Sequence, residues 1–323
     1  MRTVPILFIH YGNSSYLPYV INVAKRFNPH KDILFLGDEH NAYLRDLGVL
    51  HYPLEAFAHS ADLARFEQLY PSIVNKRYAK TKWAHFVLKR WFVINTFIQQ
   101  EKIEKFWTFD SDNFLLTDLT DYEAYFSQYD CTSQCKGSCL NGFVPDAAIV
   151  QRYVSKINEL LSDRAYIEDW QRRYEENPAL FYNEMEAFAV FVEQEGIKNF
   201  HLSQICNGCT FEDSITYVHD GMEMYEKKIK ERFVKKLYLH RGDIYCKHLA
   251  SNTFIKMNNL NLSWMPKYIF PLLHQYLTCI EAKDDFVPLD LLKAPLSYHV
   301  KFFISKHVPQ HVRDRVCRGA YWV

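Results

Sequence analysis

The run Lys105-Phe106-Trp107-Thr108-Phe109 ends directly in Asp110-Ser111-Asp112-Asn113, and that junction constrains the fold more than any other feature of the chain. An apolar run closed by turn-forming acids reads as a buried strand that stops at a polar edge. Upstream, residues 81–100 read as a long helix, with Trp83, Phe86, Val87, Trp91, Ile94 and Ile98 near helical spacing. Helix, short linker, buried strand and acids at the strand's C-terminal end is the order in which open α/β sheets present a ligand crevice. Two carboxylates one residue apart can also converge on one hard divalent cation, because magnesium and manganese sites commonly combine one or two carboxylates with substrate phosphates. A solvated turn after a strand uses the same residues, so spacing alone leaves both readings open.

The start of the chain supports the same class. Residues 4–9 and 33–36 read as parallel strands joined by a helix over 17–27, with Ser14 and Ser15 as its caps and Pro18 in its first turn. This is a βαβ unit. Its first turn, Tyr11-Gly12-Asn13-Ser14-Ser15, lacks the three-glycine dinucleotide fingerprint, and no phosphate-binding Gly-X-X-X-X-Gly-Lys-Ser/Thr loop occurs. Further on, a strand is expected over 129–132, helices over 145–161, 163–176 and 183–195 with Gly196 as a C-cap, and strands over 233–239 and 253–257 flanking a loop at Arg241-Gly242-Asp243.

A chain of 323 residues, 48% hydrophobic, can bury a large core, and a net charge of zero argues against a chain built for nucleic acid. The opening apolar stretch is too short for a secretory core or a membrane span, so a cytoplasmic protein is expected. Cys131, Cys135 and Cys139, with Cys206-X-X-Cys209, allow a zinc site to be drawn, but the spacing matches no common ribbon or finger; reduced structural thiols are the expectation. Residues 281–323 are basic and aromatic: Lys293, Lys301, Lys306, Arg313, Arg315 and Arg318 oppose Asp314, with Phe302, Phe303, Ile304, Tyr321 and Trp322 interleaved. Such a segment either lies peripherally on an anionic membrane or closes the domain as a packed helix.

The order β-helix-β, the helix carrying Lys89-Arg90-Trp91-Phe92, and Phe106-Trp107-Thr108-Phe109-Asp110-Ser111-Asp112 resembles the GT-A glycosyltransferases, in particular bacterial-type nucleotide-sugar enzymes with an Asp-X-Asp motif, over roughly residues 5–267. The resemblance implies a GT-A, Rossmann-like, mixed and mostly parallel sheet flanked by helices, with a helical basic extension. It divides the chain into a catalytic domain over 1–280, with a nucleotide-sugar part to about 135 and an acceptor part from about 136, and a segment over 281–323. It implies Mn2+ or Mg2+ at Asp112, with Asp110 on the metal or the ribose, and Arg90 facing the nucleotide sugar. The position of Tyr11 and Asn13 in the first β exit loop makes them contacts to base or ribose.

Asn183-Glu184-Met185 resembles a Ser-Asp-Met segment whose acid faces the acceptor, which makes Glu184 the general base or acceptor contact and Glu186 its substitute. Acids in a first helical turn also favour the helix dipole with no catalytic role. The chain departs from the family at Leu260-Asn261-Leu262-Ser263-Trp264-Met265-Pro266-Lys267. There Asn261 replaces a late metal-binding His and Trp264 replaces a Gly, while Lys267 keeps a charge suited to a diphosphate. His240 and His248 are the alternative sources of an imidazole ligand.

The expected function is transfer of a sugar from a nucleoside diphosphate donor, UDP-linked, to a glycan or lipid-linked acceptor. A sugar nucleotidyltransferase fits less well, because residues 5–18 contain a single Gly, Gly12. The other classes are a non-catalytic relative that binds a glycan or nucleotide sugar or scaffolds polysaccharide assembly, and a zinc-binding interaction module.

Overall fold

The computed structural model describes residues 3–74, 81–279 and 284–292. Its first sheet contains four parallel strands, β1 (Ile6–Ile9), β2 (Ile33–Gly37), β3 (Leu50–Pro53) and β4 (Phe106–Thr108), in the order β3-β2-β1-β4, with β8 (Gly142–Val144) antiparallel on β4. β1, β2 and β4 are buried along their whole length, so they read as unbroken apolar runs. The two-residue period still sorts their side chains between faces. Ile6, Phe8, Ile33, Phe35 and Trp107 enter one hydrophobic cluster, and Leu7, Ile9, Leu34, Leu36 and Phe106 enter another.

That sheet is therefore a middle layer. The second cluster is completed by α2 (Ala61–Leu69), α3 (Thr81–Gln100), α5 (Ala148–Ser162) and α7 (Glu184–Gln194). The first is completed by α1 (Leu17–Phe27), α8 (Ile269–Cys279) and a second sheet. The second sheet runs β10 (Cys209–Phe211), β13 (Thr253–Asn261), β12 (Asp243–His248), β11 (Leu237–His240), β14 (Val287–Pro288), and β5 (Asn113–Leu115) also pairs with β13. A small third sheet holds β7 (Cys139–Leu140), β6 (Cys131–Gln134) and β9 (Asn199–His201), and α4 (Thr120–Phe126) and α6 (Arg164–Glu176) complete the elements described. The molecule is thus a mixed α/β protein with parallel and mixed sheets flanked by helices. Among the described residues no helix is long and apolar enough to cross a membrane.

Several local expectations change. α1 begins at Leu17 with Pro18 in its first turn, but its N-cap is Tyr16, and Ser14 contributes only a backbone carbonyl to the Leu17 N–H. The strand expected from 233 starts at Leu237, and Phe233 is exposed. The strand expected over 253–257 runs on to Asn261, because the buried amides of Asn259 and Asn261 find partners across the sheet. Arg241 and Gly242, at φ 51° and 86°, form the two-residue turn of the β11–β12 hairpin. Gly196 closes α7 at φ 62°, with the Ile197 N–H donating to the Val192 carbonyl at 3.1 Å. The basic stretch from residue 293 onward lies outside the described residues.

Topology fixes where a ligand can sit. β1 leads through α1 to β2 on one side, and the chain returns from β3 to β4 on the other, so the strand order reverses between β1 and β4. The crevice outside the carboxyl ends of such a pair is the usual binding position of open α/β sheets. His10 follows β1 and Asp110 follows β4 closely, so both stand at that edge.

Candidate active site

The acidic tetrapeptide is the joint between two sheets. β4 ends at Thr108, a turn closes with the Asn113 N–H on the Asp110 carbonyl at 3.0 Å, and β5 then enters the second sheet with Asn113 opposite Asn261. Asn113 is fully buried and accepts a hydrogen bond from Asn259 Nδ2 at 2.7 Å. The joint holds Asp110 and Asp112 at the mouth of the crevice on two sides at once.

Arg90 enters from the buried face of α3. Its Nη1 meets Asp110 Oδ1 at 2.5 Å and its Nη2 meets Glu184 Oε1 at 3.0 Å. Glu184 reaches this position because Asn183 caps α7, accepting from the Met185 N–H at 2.8 Å, and because the Tyr153 hydroxyl donates to the Glu184 carbonyl at 2.8 Å. Burial opposes the charge on Arg90, but the carboxylates of Asp110 and Glu184 outweigh it and hold the guanidinium protonated. Burial pushes Glu184 up to about 7, against the pull of Arg90 and with the charge of Asp110 adding to the rise. Arg90 Nε and Glu184 Oε2 are both buried without a hydrogen-bond partner in the structure. Each such atom costs about 1–3 kcal/mol.

Asp112 lies on the opposite side of the same turn. Ser263 Oγ donates to its Oδ2 at 3.0 Å, and the Leu262 N–H donates to its backbone carbonyl at 3.1 Å. Burial, and then the charge of Asp110, push Asp112 up to about 7. A carboxyl group raised by burial and by a neighbouring carboxylate is a place where a cation would remove the conflict. The donor set is oxygen only, which fits Mn2+ or Mg2+. Among the described residues, no three His, Cys, Asp or Glu side chains cluster as a metal site. A cation here would therefore need further oxygens from its ligand.

Residues not singled out in the sequence complete the crevice. His10 Nδ1 is hydrogen-bonded to Ser111 Oγ at 2.7 Å, bridging the ends of β1 and β4. Burial takes His10 down to about 4, with Asp38 opposing and Lys267 adding to the drop, so its imidazole is neutral at pH 7. Tyr16 stacks on Phe270 at 4.4 Å, and burial with the charge of Asp112 raises its hydroxyl to about 12. Asp38 accepts from the Gly12 N–H, and Asn41 Nδ2 donates to the carbonyls of His10 at 3.2 Å and Gly12 at 2.7 Å, which pins the first loop. The available signal for His10 was its place as the first polar residue after β1.

The remaining expected site residues are spread more widely. Tyr11 is 64% exposed, 6.1 Å from Phe86, and Asn13 accepts from the Tyr43 hydroxyl at 3.2 Å. Lys267 is exposed ahead of α8, close enough to act on His10. Asn261 is engaged within the fold: its Nδ2 donates to the Asp213 carbonyl at 2.8 Å and its Oδ1 accepts from the Ser263 N–H at 3.0 Å. Ser263 is thus the late residue whose side chain touches Asp112. Glu186 turns toward Arg173 on α6, 3.9 Å away, and does not join the Arg90 cluster. His240 stacks on Phe286 at 4.3 Å and His248 bonds Ser251 at 2.8 Å. Cys131, Cys135, Cys139, Cys206 and Cys209 are free thiols, and among the described residues they do not gather as a group of three or more that could hold a metal.

The fold and crevice define a mixed α/β protein with carboxylates and one buried arginine at the switch point of its parallel sheet. No family model matches the chain, and no curated protein matches it. Among solved structures, one described as "PaToxG Glycosyltransferase" is similar over 59% of this chain and 70% of that one, at 12% identity and a TM-score of 0.33, a likeness too slight to carry an argument.

Proposed function

We propose that the protein is a metal-dependent glycosyltransferase of the GT-A kind, moving a sugar from a nucleoside diphosphate donor, UDP-linked, to a hydroxyl of a glycan or lipid-linked acceptor. The observation that carries this reading is Arg90 held between Asp110 and Glu184 at the switch point, with Arg90 Nε and Glu184 Oε2 buried and unpartnered. Asp110 and Asp112 are the residues that would hold Mn2+ or Mg2+ together with the donor's diphosphate. When bound, such a cation neutralises charge on the departing nucleoside diphosphate.

The side chains of the crevice divide the remaining work. Arg90 keeps a fixed positive charge beside the sugar and orients both carboxylates. Glu184, raised to about 7, would take the acceptor's hydroxyl proton, its buried Oε2 being uncovered on acceptor binding, while the acceptor oxygen bonds to the anomeric carbon and the bond to the diphosphate breaks. Lys267 adds positive charge on the diphosphate side, and Tyr11 and Asn13 flank the nucleoside.

Thermal unfolding against a panel of nucleotide sugars, each with Mn2+, Mg2+ or EDTA, tests the proposal, because a ligand that binds the native state raises its apparent stability. A rise for one nucleotide class that disappears in EDTA is expected. No rise with any donor would move the reading to a non-catalytic relative.

A further inference from the structure

The crevice has an aromatic rim, and each part of it is tied to a residue of the site. Trp83 precedes Arg90 by seven residues on α3, two turns along the same helix face, or about 10 Å at the helical rise. Phe181 stands three residues before Glu184, and Trp264 directly follows Ser263, whose hydroxyl holds Asp112. From these separate segments the rings converge: Trp83 lies 5.7 Å from Phe181 and 6.2 Å from Trp264, at interplanar angles of 66° and 56°. Trp83 is 42% and Trp264 53% exposed, so two rings in contact present a shared apolar surface to solvent.

The backbone of Trp264 strengthens the case. It sits at φ 68°, in the left-handed region that a bulky side chain rarely adopts and that glycine occupies freely. A large ring held in a conformation suited to glycine, one residue from a contact to Asp112, is strain placed at a site. Arg232 lies over the Trp264 ring at 5.8 Å and adds a hydrogen-bond donor next to the aromatic surface.

We propose that Trp83, Phe181 and Trp264 form a saccharide-binding platform for the acceptor, beside the Arg90–Glu184 pair. This rests on the transferase reading above. A pyranose ring suits the rim because one of its faces is made of C–H groups that pack on aromatic rings, while its hydroxyls reach outward to groups such as Arg232 and Glu184. The polar crevice of His10, Asp38 and Lys267, with the separate Tyr11–Phe86 pair, lies at the β1 exit and is left to the donor.

The test uses the full chain and saturation-transfer NMR on the methyl α- and β-glycosides of glucose, galactose, mannose and N-acetylglucosamine, with and without UDP and Mn2+. At least one glycoside should bind, with the strongest transfer to the C–H protons of one ring face. Trp83→Ala and Trp264→Ala should each weaken it by roughly tenfold or more, while UDP binding stays within about twofold of wild type. Tyr11→Ala should do the reverse. Both tryptophans are exposed, and unchanged urea midpoints would confirm that the variants fold. The platform is overturned if no glycoside binds, if the tryptophan variants bind it as wild type does, or if they weaken UDP instead. If a glycoside binds and no nucleotide does, the platform stands and the transferase reading falls; if UDP binds and no glycoside does, the platform falls alone.

Discussion

Among the described residues, two ionic triads centred on buried cations are built alike and finished differently. In one, Arg90 lies between Asp110 and Glu184; in the other, Lys235 lies between Glu212 and Asp220. Burial drives both glutamates up to about 7, and in both the neighbouring cation pulls the other way. The difference is in the remaining atoms. Glu212 Oε2 accepts the Asn261 N–H at 3.0 Å, and Lys235 also donates to the Ser214 carbonyl at 3.1 Å. Glu184 Oε2 and Arg90 Nε accept and donate nothing. The closed network braces β13 and the segment after β10, whereas the one at the ends of the parallel strands leaves two buried polar atoms unsatisfied.

Removing one side of the closed triad should have the largest effect. Lys235→Ala leaves two buried carboxylates without their cation and should destabilise the protein by about 3–5 kcal/mol in urea unfolding. If the loss is below about 1 kcal/mol, the triad is no brace. The same Glu→Gln change then separates the two triads. Glu184→Gln should lower sugar transfer by roughly 10²–10⁴-fold while leaving thermal stability equal or higher, because a poorly satisfied buried charge is removed. Glu212→Gln should instead cost about 1–3 kcal/mol of stability. Equal stability losses in both would erase the contrast.

A third effect follows from titration. Asp112, Glu184 and Glu212 carry folded values of about 7 against ordinary values of 3.8, 4.5 and 4.5. Between those limits the folded state holds more protons than the unfolded state, so stability without ligand should fall as pH rises from about 4.5 to about 7. Asp112→Asn should make that decline shallower and raise Tm at pH 8 by roughly 2 °C or more. Stability that rises across the window would contradict these assignments. The smallest effect belongs to Ser263→Ala, which removes a single neutral donor from Asp112 and should weaken Mn2+-dependent UDP binding by about fivefold, with the fold intact.

The parts of this fold legible in the sequence are those where local pattern and burial agree. β1, β2 and β4 are apolar on both faces, and α1 and α3 carry helical spacing, so the centre of the middle layer could be read from the sequence, whereas β3, which is half exposed, and the three-residue β8 gave no such signal. The second sheet was obscured because β13 ends in buried asparagines whose partners lie on other strands, and because β5 has only three residues. The site divides the same way. Arg90, Asp110 and Glu184 stand in short motifs whose order along the chain could be compared with a family, and the fold brings their side chains into contact. Ser263 is 151 residues from Asp112, and His10 is 101 from Ser111. No local pattern reports such pairs, which exist only because β5 crosses to β13 and β1 lies beside β4.

The most direct measurement is calorimetric titration of UDP into wild-type protein and Asp112→Asn, each in Mn2+ and in EDTA. A cation shared between the carboxylate pair and the diphosphate predicts binding by the wild type in Mn2+ that falls at least about tenfold in EDTA, and to the same low level in the variant with either. Equal affinity in all four titrations would contradict a metal-assisted nucleotide-sugar site at Asp110 and Asp112.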